Sequence, residues 1–353
     1  MKNIGQFLGV LLILFTLCVV YIIQASGAFK SIKPHFDGEA ETIPAPPGVE
    51  DLTIDHSDGQ LYLSSTDRRN KDASGDIFTF NVSEETPVFS KLGINNIYPD
   101  FRPHGISLLK KYGHKYIFAI SHEPEASYIY RLQVEEDSLI SHKRFSHDLL
   151  ISPNDLVAHD TASFYFTNDH GLKAGRERTI KDLIMDKNGY VVSYKNGEAK
   201  KVSQNMAYAN GINISKDGKY LFVSTTTEAT LFVYKNEPLA DNLELLDKHF
   251  TGTGLDNIEL DKDGNLFIGA HPKMLKFLGH AKSELKRSPS QVLKIIYLPE
   301  TDYKFLQEEL YLNDGNPLSG SSVGAPFVQK DGTNNIFIGS VFEPKIMKLH
   351  RNL

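Results

Sequence analysis

Ala209-Asn210-Gly211-Ile212-Asn213-Ile214-Ser215-Lys216-Asp217-Gly218-Lys219-Tyr220-Leu221-Phe222-Val223 is the stretch that decides the fold. It opens on an amide side chain, turns at Asp-Gly and leaves on an aromatic and β-branched strand, the pattern of a β-hairpin. The turn and strand recur as Asp58-Gly59-Gln60-Leu61-Tyr62-Leu63, as Tyr112-Gly113-His114-Lys115-Tyr116-Ile117-Phe118 and as Asp160-Thr161-Ala162-Ser163-Phe164-Tyr165-Phe166. Two more copies are Asp263-Gly264-Asn265-Leu266-Phe267-Ile268 and Asp331-Gly332 running into Asn335-Ile336-Phe337-Ile338. The turn positions 59, 113, 161, 218, 264 and 332 lie 54, 48, 57, 46 and 68 residues apart. Such periods belong to propeller blades or solenoid units. Few segments have helical period, and a ring leaves only short sheet edges. The expected fold is therefore all-β, a six-bladed β-propeller around a central channel, preceded by an N-terminal hydrophobic helix.

The chain has 353 residues, 41% hydrophobic and 23% charged, with a formal net charge of −6. This is ordinary globular composition. No basic run with interleaved aromatics points to nucleic acid. The single cysteine, Cys18, lies in the apolar N-terminal segment, so no disulfide forms within the domain. Ring closure then rests on hydrogen bonding and packing between the extended stretch after Ser31 and Lys345-Ile346-Met347-Lys348-Leu349. No charged residue occurs from Asn3 to Phe29, and Ile4 to Ile23 alone gives 20 residues. That length spans about 30 Å of hydrocarbon as a helix. Residues 1–29 read as a transmembrane anchor, or as a cleaved signal if Ala25-Ser26-Gly27-Ala28 is cut. The propeller is expected on the extracytoplasmic side, anchored in the first case and secreted in the second. Residues 30–48, with Pro34, Pro44, Pro46 and Pro47, read as a tether, and residues 49–353 as the propeller domain. The charged segment Gly171–Met185 suits an amphipathic helix on the mouth face. His280–Ser290 reads as a basic loop insertion.

Glu50, His104, Asn154, Asn210 and Asn257 lie seven to nine residues before a turn position. His122, Asp169, His170 and His271 lie seven to nine residues after one. In a hairpin the start of the first strand and the end of the second meet at one end, so both sets face one mouth of the channel. Any single Asn or Asp there is a turn former. Five residues in matching register point instead to a metal site. Glu50, Asn154, Asn210, Asp256 and Asn257 offer only oxygen, which suits calcium rather than zinc. Asp51 and Asp155 follow directly on Glu50 and Asn154. Strand alternation sends them to the other side, as a second ion site in the channel. His104 stands in the ligand register with His122 at the same mouth, and a histidine pair near a metal suits proton transfer at neutral pH. There is no Gly-x-Ser-x-Gly elbow, dinucleotide fingerprint or phosphate loop. Ser321 and Ser322 occupy the sixth blade's ligand register without an assignable base.

From Val49 to the C-terminus the chain resembles the paraoxonases, or serum arylesterases. The resemblance is carried by Gly48-Val49-Glu50-Asp51-Leu52, Arg102-Pro103-His104-Gly105-Ile106-Ser107, Pro153-Asn154-Asp155-Leu156-Val157-Ala158 and Thr167-Asn168-Asp169-His170. It continues through Ala209 to Tyr220, Asp256-Asn257-Ile258 and Gly269-Ala270-His271-Pro272. It implies two calcium ions in the channel: a catalytic one on Glu50, Asn154, Asn210, Asp256 and Asn257, and a structural one on Asp51, Asp155 and the Ile106 carbonyl. It assigns water activation to His104 and His122. Asp169, His170 and His271 line the mouth as substrate contacts or supports. The implied substrates are small-molecule lactones, then aryl esters and organophosphates, with membrane association through the N-terminal segment. The animal members join their ends by a disulfide, and their mouth helix is often apolar; this chain departs from both. The expected function is calcium-dependent lactone hydrolysis. The alternatives are a gluconolactonase-type sugar lactonase with one metal, a strictosidine-synthase-like propeller and a non-enzymatic binding propeller.

Overall fold

In the computed structural model, which describes residues 2–173, 175–237 and 242–351, six four-stranded antiparallel sheets follow one another along the chain. The innermost strands of blades one to six are Val49–Asp55, Pro103–Lys111, Pro153–Asp160, Ala209–Ile214, Gly254–Leu260 and Ser321–Val328. Each touches the next, and the sixth touches the first, so the ring is closed. The Asp-Gly turns lead into the second strands, and each second strand is apolar on both faces because it lies between neighbouring blades.

Closure is non-covalent, as the lone cysteine requires. Glu39–Pro44, within the stretch read as a tether, pairs antiparallel with Lys345–Arg351 from Glu39↔His350 to Pro44↔Lys345. This makes the N-terminal strand the outermost strand of blade six. The core is a set of clusters between blades. Leu52, Leu61 and Leu63 of blade one pack on Val323, Ala325 and Phe337 of blade six. Phe118 and Phe145 of blade two pack on Phe164 and Tyr194 of blade three. The Phe164 and Tyr194 rings stack at 4.6 Å. Each such side chain contributes about 1.5–3 kcal/mol on burial.

Every innermost strand carries a register shift near its start, after Val49, Pro103, Pro153, Ala209, Leu255 and Ser321. These are β-bulges, which place an extra residue and re-aim side chains. The residues in the bulges are those singled out by register: 50–51, 104–105, 154–155, 210–211 and 256–257. The bulges replace the simple alternation expected there, so consecutive residues both enter the channel region. A glycine is needed in two of them. A Cβ on Gly105 would sit 2.6 Å from Asn154 O, and one on Gly211 would sit 2.5 Å from Asp256 O.

Among the described residues three α-helices lie outside the blades: α1 (Lys2–Ala25), α2 (Arg176–Leu183) and α3 (Met274–Lys282). Within α1, Gln6–Ala25 has mean hydropathy 2.6 and is long and apolar enough to cross a membrane. The α2 helix falls within the expected mouth segment, of which residue 174 lies outside the described residues. The basic insertion is not all loop: its first residues, His280 to Lys282, form the last turn of α3.

Candidate active site

The five expected outer ligands are all buried at the mouth end of the channel. Four of them keep a buried oxygen with no hydrogen-bond partner: Glu50 Oε2, Asn154 Oδ1, Asn210 Oδ1 and Asn257 Oδ1. Buried polar atoms are normally paired. Two amides are turned this way by their nitrogens. Asn257 Nδ2 donates to Glu50 Oε1 at 2.9 Å and to Glu50 O at 3.1 Å, and Asn210 Nδ2 donates to Thr226 Oγ1 at 2.8 Å. The fifth, Asp256, accepts from His271 Nε2 through Oδ2 at 2.8 Å. Burial raises the Glu50 and Asp256 carboxyls above their ordinary values, despite Arg68 beside the first and His271 beside the second. The donor set fits calcium: all oxygen, two carboxylates and three amides. Among the described residues no three His, Cys, Asp or Glu side chains form a group that could hold a metal ion, so a site here draws on the amide oxygens as well.

The inner pair is built differently. Asp51 accepts the N–H of Leu52 at 2.9 Å and of Ile106 at 2.7 Å. Asp155 accepts the N–H of Leu156 at 2.7 Å and of Ile212 at 2.8 Å. Each carboxylate thus ties its own strand to that of the next blade. Burial holds both well above the carboxylate range, and the two carboxyls repel each other. A cavity of about 170 Å³ opens beneath them at the far end of the channel, lined by Asp51, Thr53, Asp155 and Glu259. Glu259 accepts from Thr53 Oγ1 at 3.3 Å, and its carboxyl is likewise held well above its usual value by burial and by Asp51.

The histidines gather at the mouth as expected. The His104 and His122 rings meet edge to face at 5.0 Å. His104 Nε2 lies 3.7 Å from Glu50 Oε1, and His122 Nδ1 lies 3.0 Å from Ser127 Oγ. Burial pushes both rings down to about 3, His104 further lowered by Arg68 and His122 by His104. Asp169 accepts from Ser152 Oγ, from His170 Nδ1 at 2.7 Å and from Arg178 Nη2 at 3.3 Å. Burial raises its carboxyl, yet these partners together hold it below its ordinary value. His271 stacks on Phe277 of α3 at 3.9 Å, and its Nδ1 is buried without a partner.

Comparison with known proteins gives the family. A family model described as Arylesterase matches residues 50–347. This chain belongs to the arylesterase family. Human serum paraoxonase/arylesterase 1 is 31% identical over 309 residues, covering 84% of each chain. Human serum paraoxonase/lactonase 3 is 30% identical over 338 residues, covering 91% of this chain and 90% of its own. Among solved structures, a glucose dehydrogenase superposes with TM-score 0.53 at 10% identity, covering 89% of this chain and all of that one, 100%. A luciferin-regenerating enzyme gives 0.50 at 14%, covering 91% and 96%. These two likenesses speak for the propeller alone.

Two features of this arylesterase escaped the sequence reading, and a third, Ser322, was placed there without a role. Arg68 donates to Gly48 O at 2.7 Å, to Pro103 O at 2.9 Å and to His104 Nδ1 at 3.3 Å. It lies nine residues after the turn at 59, the register of His122 and His170, so the spacing itself marks it. Glu259 lies two residues beyond Asn257 on the same strand. Ser322, in the sixth blade's ligand register, donates to Glu50 O at 2.5 Å and closes the ring of contacts around the mouth.

Proposed function

We propose that this arylesterase hydrolyses lactones with calcium at the mouth, and aryl esters and organophosphates more slowly. The observation that supports it is the set of buried, unpartnered oxygens on Glu50, Asn154, Asn210 and Asn257. With Asp256 they would hold the catalytic ion. Asp51, Asp155 and the Ile106 carbonyl would hold a structural one. Bound calcium supplies Lewis-acid stabilisation to a carbonyl oxygen that is gaining negative charge.

The chain's own residues handle the proton. A water oxygen bonds to the lactone carbonyl carbon as its proton passes to an imidazole. The ring C–O bond then breaks and the proton goes to the departing alkoxide, leaving a hydroxy acid. His104, beside His122, is the imidazole in this reading, and both rings are neutral at pH 7. Asp169, with His170 and Arg178 on it, and His271 line the substrate's path. One observation favours a second reading for the base. With Arg68 donating, His104 Nδ1 is already an acceptor and its Nε2 carries hydrogen. His271 instead gives its Nε2–H to Asp256 and keeps a free lone pair on Nδ1. Residues 1–29 anchor the protein with the propeller, including its closing strand Glu39–Pro44, as the catalytic unit outside the cytoplasm, or release it if they are cleaved.

The test is a panel of short- to long-chain lactones plus phenyl acetate, with and without chelator, on wild type, His104→Gln and His271→Gln. Loss of a general base costs roughly 10²–10⁴-fold in turnover. The variant with that loss and unchanged calcium binding identifies the base. No turnover of any lactone by calcium-loaded wild type rejects the function.

A further inference from the structure

Arg68 lies in the loop between the second and third strands of blade one, Gln60–Ser65 and Asp76–Asn81, and reaches His104 on the first strand of blade two. Backbone carbonyls from both blades fix its guanidinium. Nη1 donates to Gly48 O at 2.7 Å and to Thr66 O at 3.3 Å, and Nη2 donates to Pro103 O at 2.9 Å. Gly48 leaves the room for this. Its φ is +67°, and a Cβ there would sit 2.1 Å from Thr66 O and 3.1 Å from Arg68 Nη1.

With three carbonyls holding the fork, the remaining contact of Nη2 is His104 Nδ1 at 3.3 Å. A guanidinium has no acceptor and keeps its proton in proteins. Nδ1 therefore accepts, so the ring is neutral and its single hydrogen is on Nε2. That N–H is left without a protein acceptor among the described residues. Glu50 Oε1 lies 3.7 Å away, too far for a hydrogen bond, and already accepts from Asn257 Nδ2 at 2.9 Å. The His104 side chain keeps 17% of its surface exposed, so a substrate in the mouth can reach it.

We infer that Arg68 is a positioning residue that locks His104 as a hydrogen-bond donor, through Nε2–H, to the substrate oxygen that gains negative charge. The inference rests on the hydrolysis proposed above and takes its second reading of the base. As the water oxygen bonds to the carbonyl carbon, the π pair moves onto the carbonyl oxygen and the contact from Nε2–H shortens. No proton leaves His104; the water's proton goes to the base and then to the departing alkoxide. A donor of this kind favours the oxyanion over the neutral carbonyl, so it raises kcat more than it lowers KM. Lysine would not replace Arg68, because an ammonium group lacks the planar fork that spans Gly48, Pro103 and His104.

The test uses the full chain with isotope-labelled histidine in calcium-containing buffer, the two ring nitrogens being read by NMR. Signals missing from His104→Gln assign the ring. Wild type should carry its hydrogen on Nε2 and none on Nδ1, and Arg68→Met should give a mixture of the two forms. In steady-state kinetics on a water-soluble lactone, His104→Leu should lose roughly 10²–10³-fold in kcat, the range for one oxyanion donor. His104→Gln, whose amide still donates, should lose clearly less, with KM little changed in both. Hydrogen on His104 Nδ1 in wild type overturns the lock. An unchanged tautomer in Arg68→Met with a normal calcium titration overturns the part of Arg68. Equal kcat losses in His104→Gln and His104→Leu overturn the donor and return His104 to the role of base. The wild-type spectrum and the two His104 variants decide the matter even if Arg68→Met does not fold. No lactone turnover by wild type rejects the hydrolysis, and the donor role with it, while the measured tautomer still decides the lock.

Discussion

Glu50 and Asp51 are neighbours in one bulge, as are Asn154 and Asp155 in another, yet each pair is divided. Glu50 and Asn154 keep a buried oxygen without a partner, whereas Asp51 and Asp155 have theirs filled by backbone N–H groups of two strands. The outer residues are arranged to receive something. The inner ones already hold the inner ends of the blades together. A single backbone device, the bulge, delivers both by presenting consecutive side chains to the channel at different depths.

The sharpest way to break this division is to remove an outer ligand. Glu50→Ala or Asn257→Ala should lower calcium affinity and lactone turnover together. The loss should exceed the roughly 10–100-fold typical of residues that only orient a ligand. Calorimetric titration with calcium and steady-state kinetics read the two quantities, and wild-type affinity in either variant removes the distinction. Next in size is the inner pair. Asp155→Ala leaves the N–H groups of Leu156 and Ile212 buried and unpaired, at about 1–3 kcal/mol each. Its thermal midpoint without metal should fall clearly, while that of Asn257→Ala should not. Equal melting of metal-free Asp155→Ala and wild type would mean that the aspartates do not bind the blades.

The smallest effect is one of pH. Asp51, Asp155 and Glu259 are held well above the carboxylate range, so the folded metal-free chain keeps protons that the unfolded chain has lost. That stability is complete below about pH 4 and is lost as pH rises through the shifted values. His104 and His122 act oppositely: being lowered to about 3, they contribute stability that is lost as pH falls below about 6.5. Above about pH 6.5 the histidine contribution is constant, whereas the raised carboxyls go on opposing stability until they have lost their protons. Metal-free protein should therefore gain less stability from rising pH than calcium-loaded protein, in which bound metal favours the ionised carboxyls. Thermal scans across the pH range with and without calcium provide the check; the same pH trend in both contradicts it.

Much of this is legible in the sequence. The turn-and-strand repeat located all six blades, and the spacing of seven to nine residues before each turn put Glu50, Asn154, Asn210 and Asn257 at one end of the ring, because every blade copies one hairpin. The closing strands were legible from the absence of a second cysteine. The role of Asp51 and Asp155 was not: alternation sends them to the opposite face, and only the bulge shows that they reach the next blade. Arg68 stands in a readable register but is neither an oxygen ligand nor a histidine, the types that mark a metal or proton-transfer site. The contact between Ser26–Lys30 and Pro272–Met274 joins segments some 245 residues apart in sequence and leaves no local pattern. It also bears on truncation: deleting residues 1–29 removes a brace from the loop that follows His271.

The most direct measurement follows lactone turnover and bound calcium on one sample as free calcium is lowered with EGTA. Turnover is expected to vanish as the outer ion leaves, and to return when calcium is restored. Full turnover in excess EGTA, with no metal found by elemental analysis, contradicts a calcium-centred mouth.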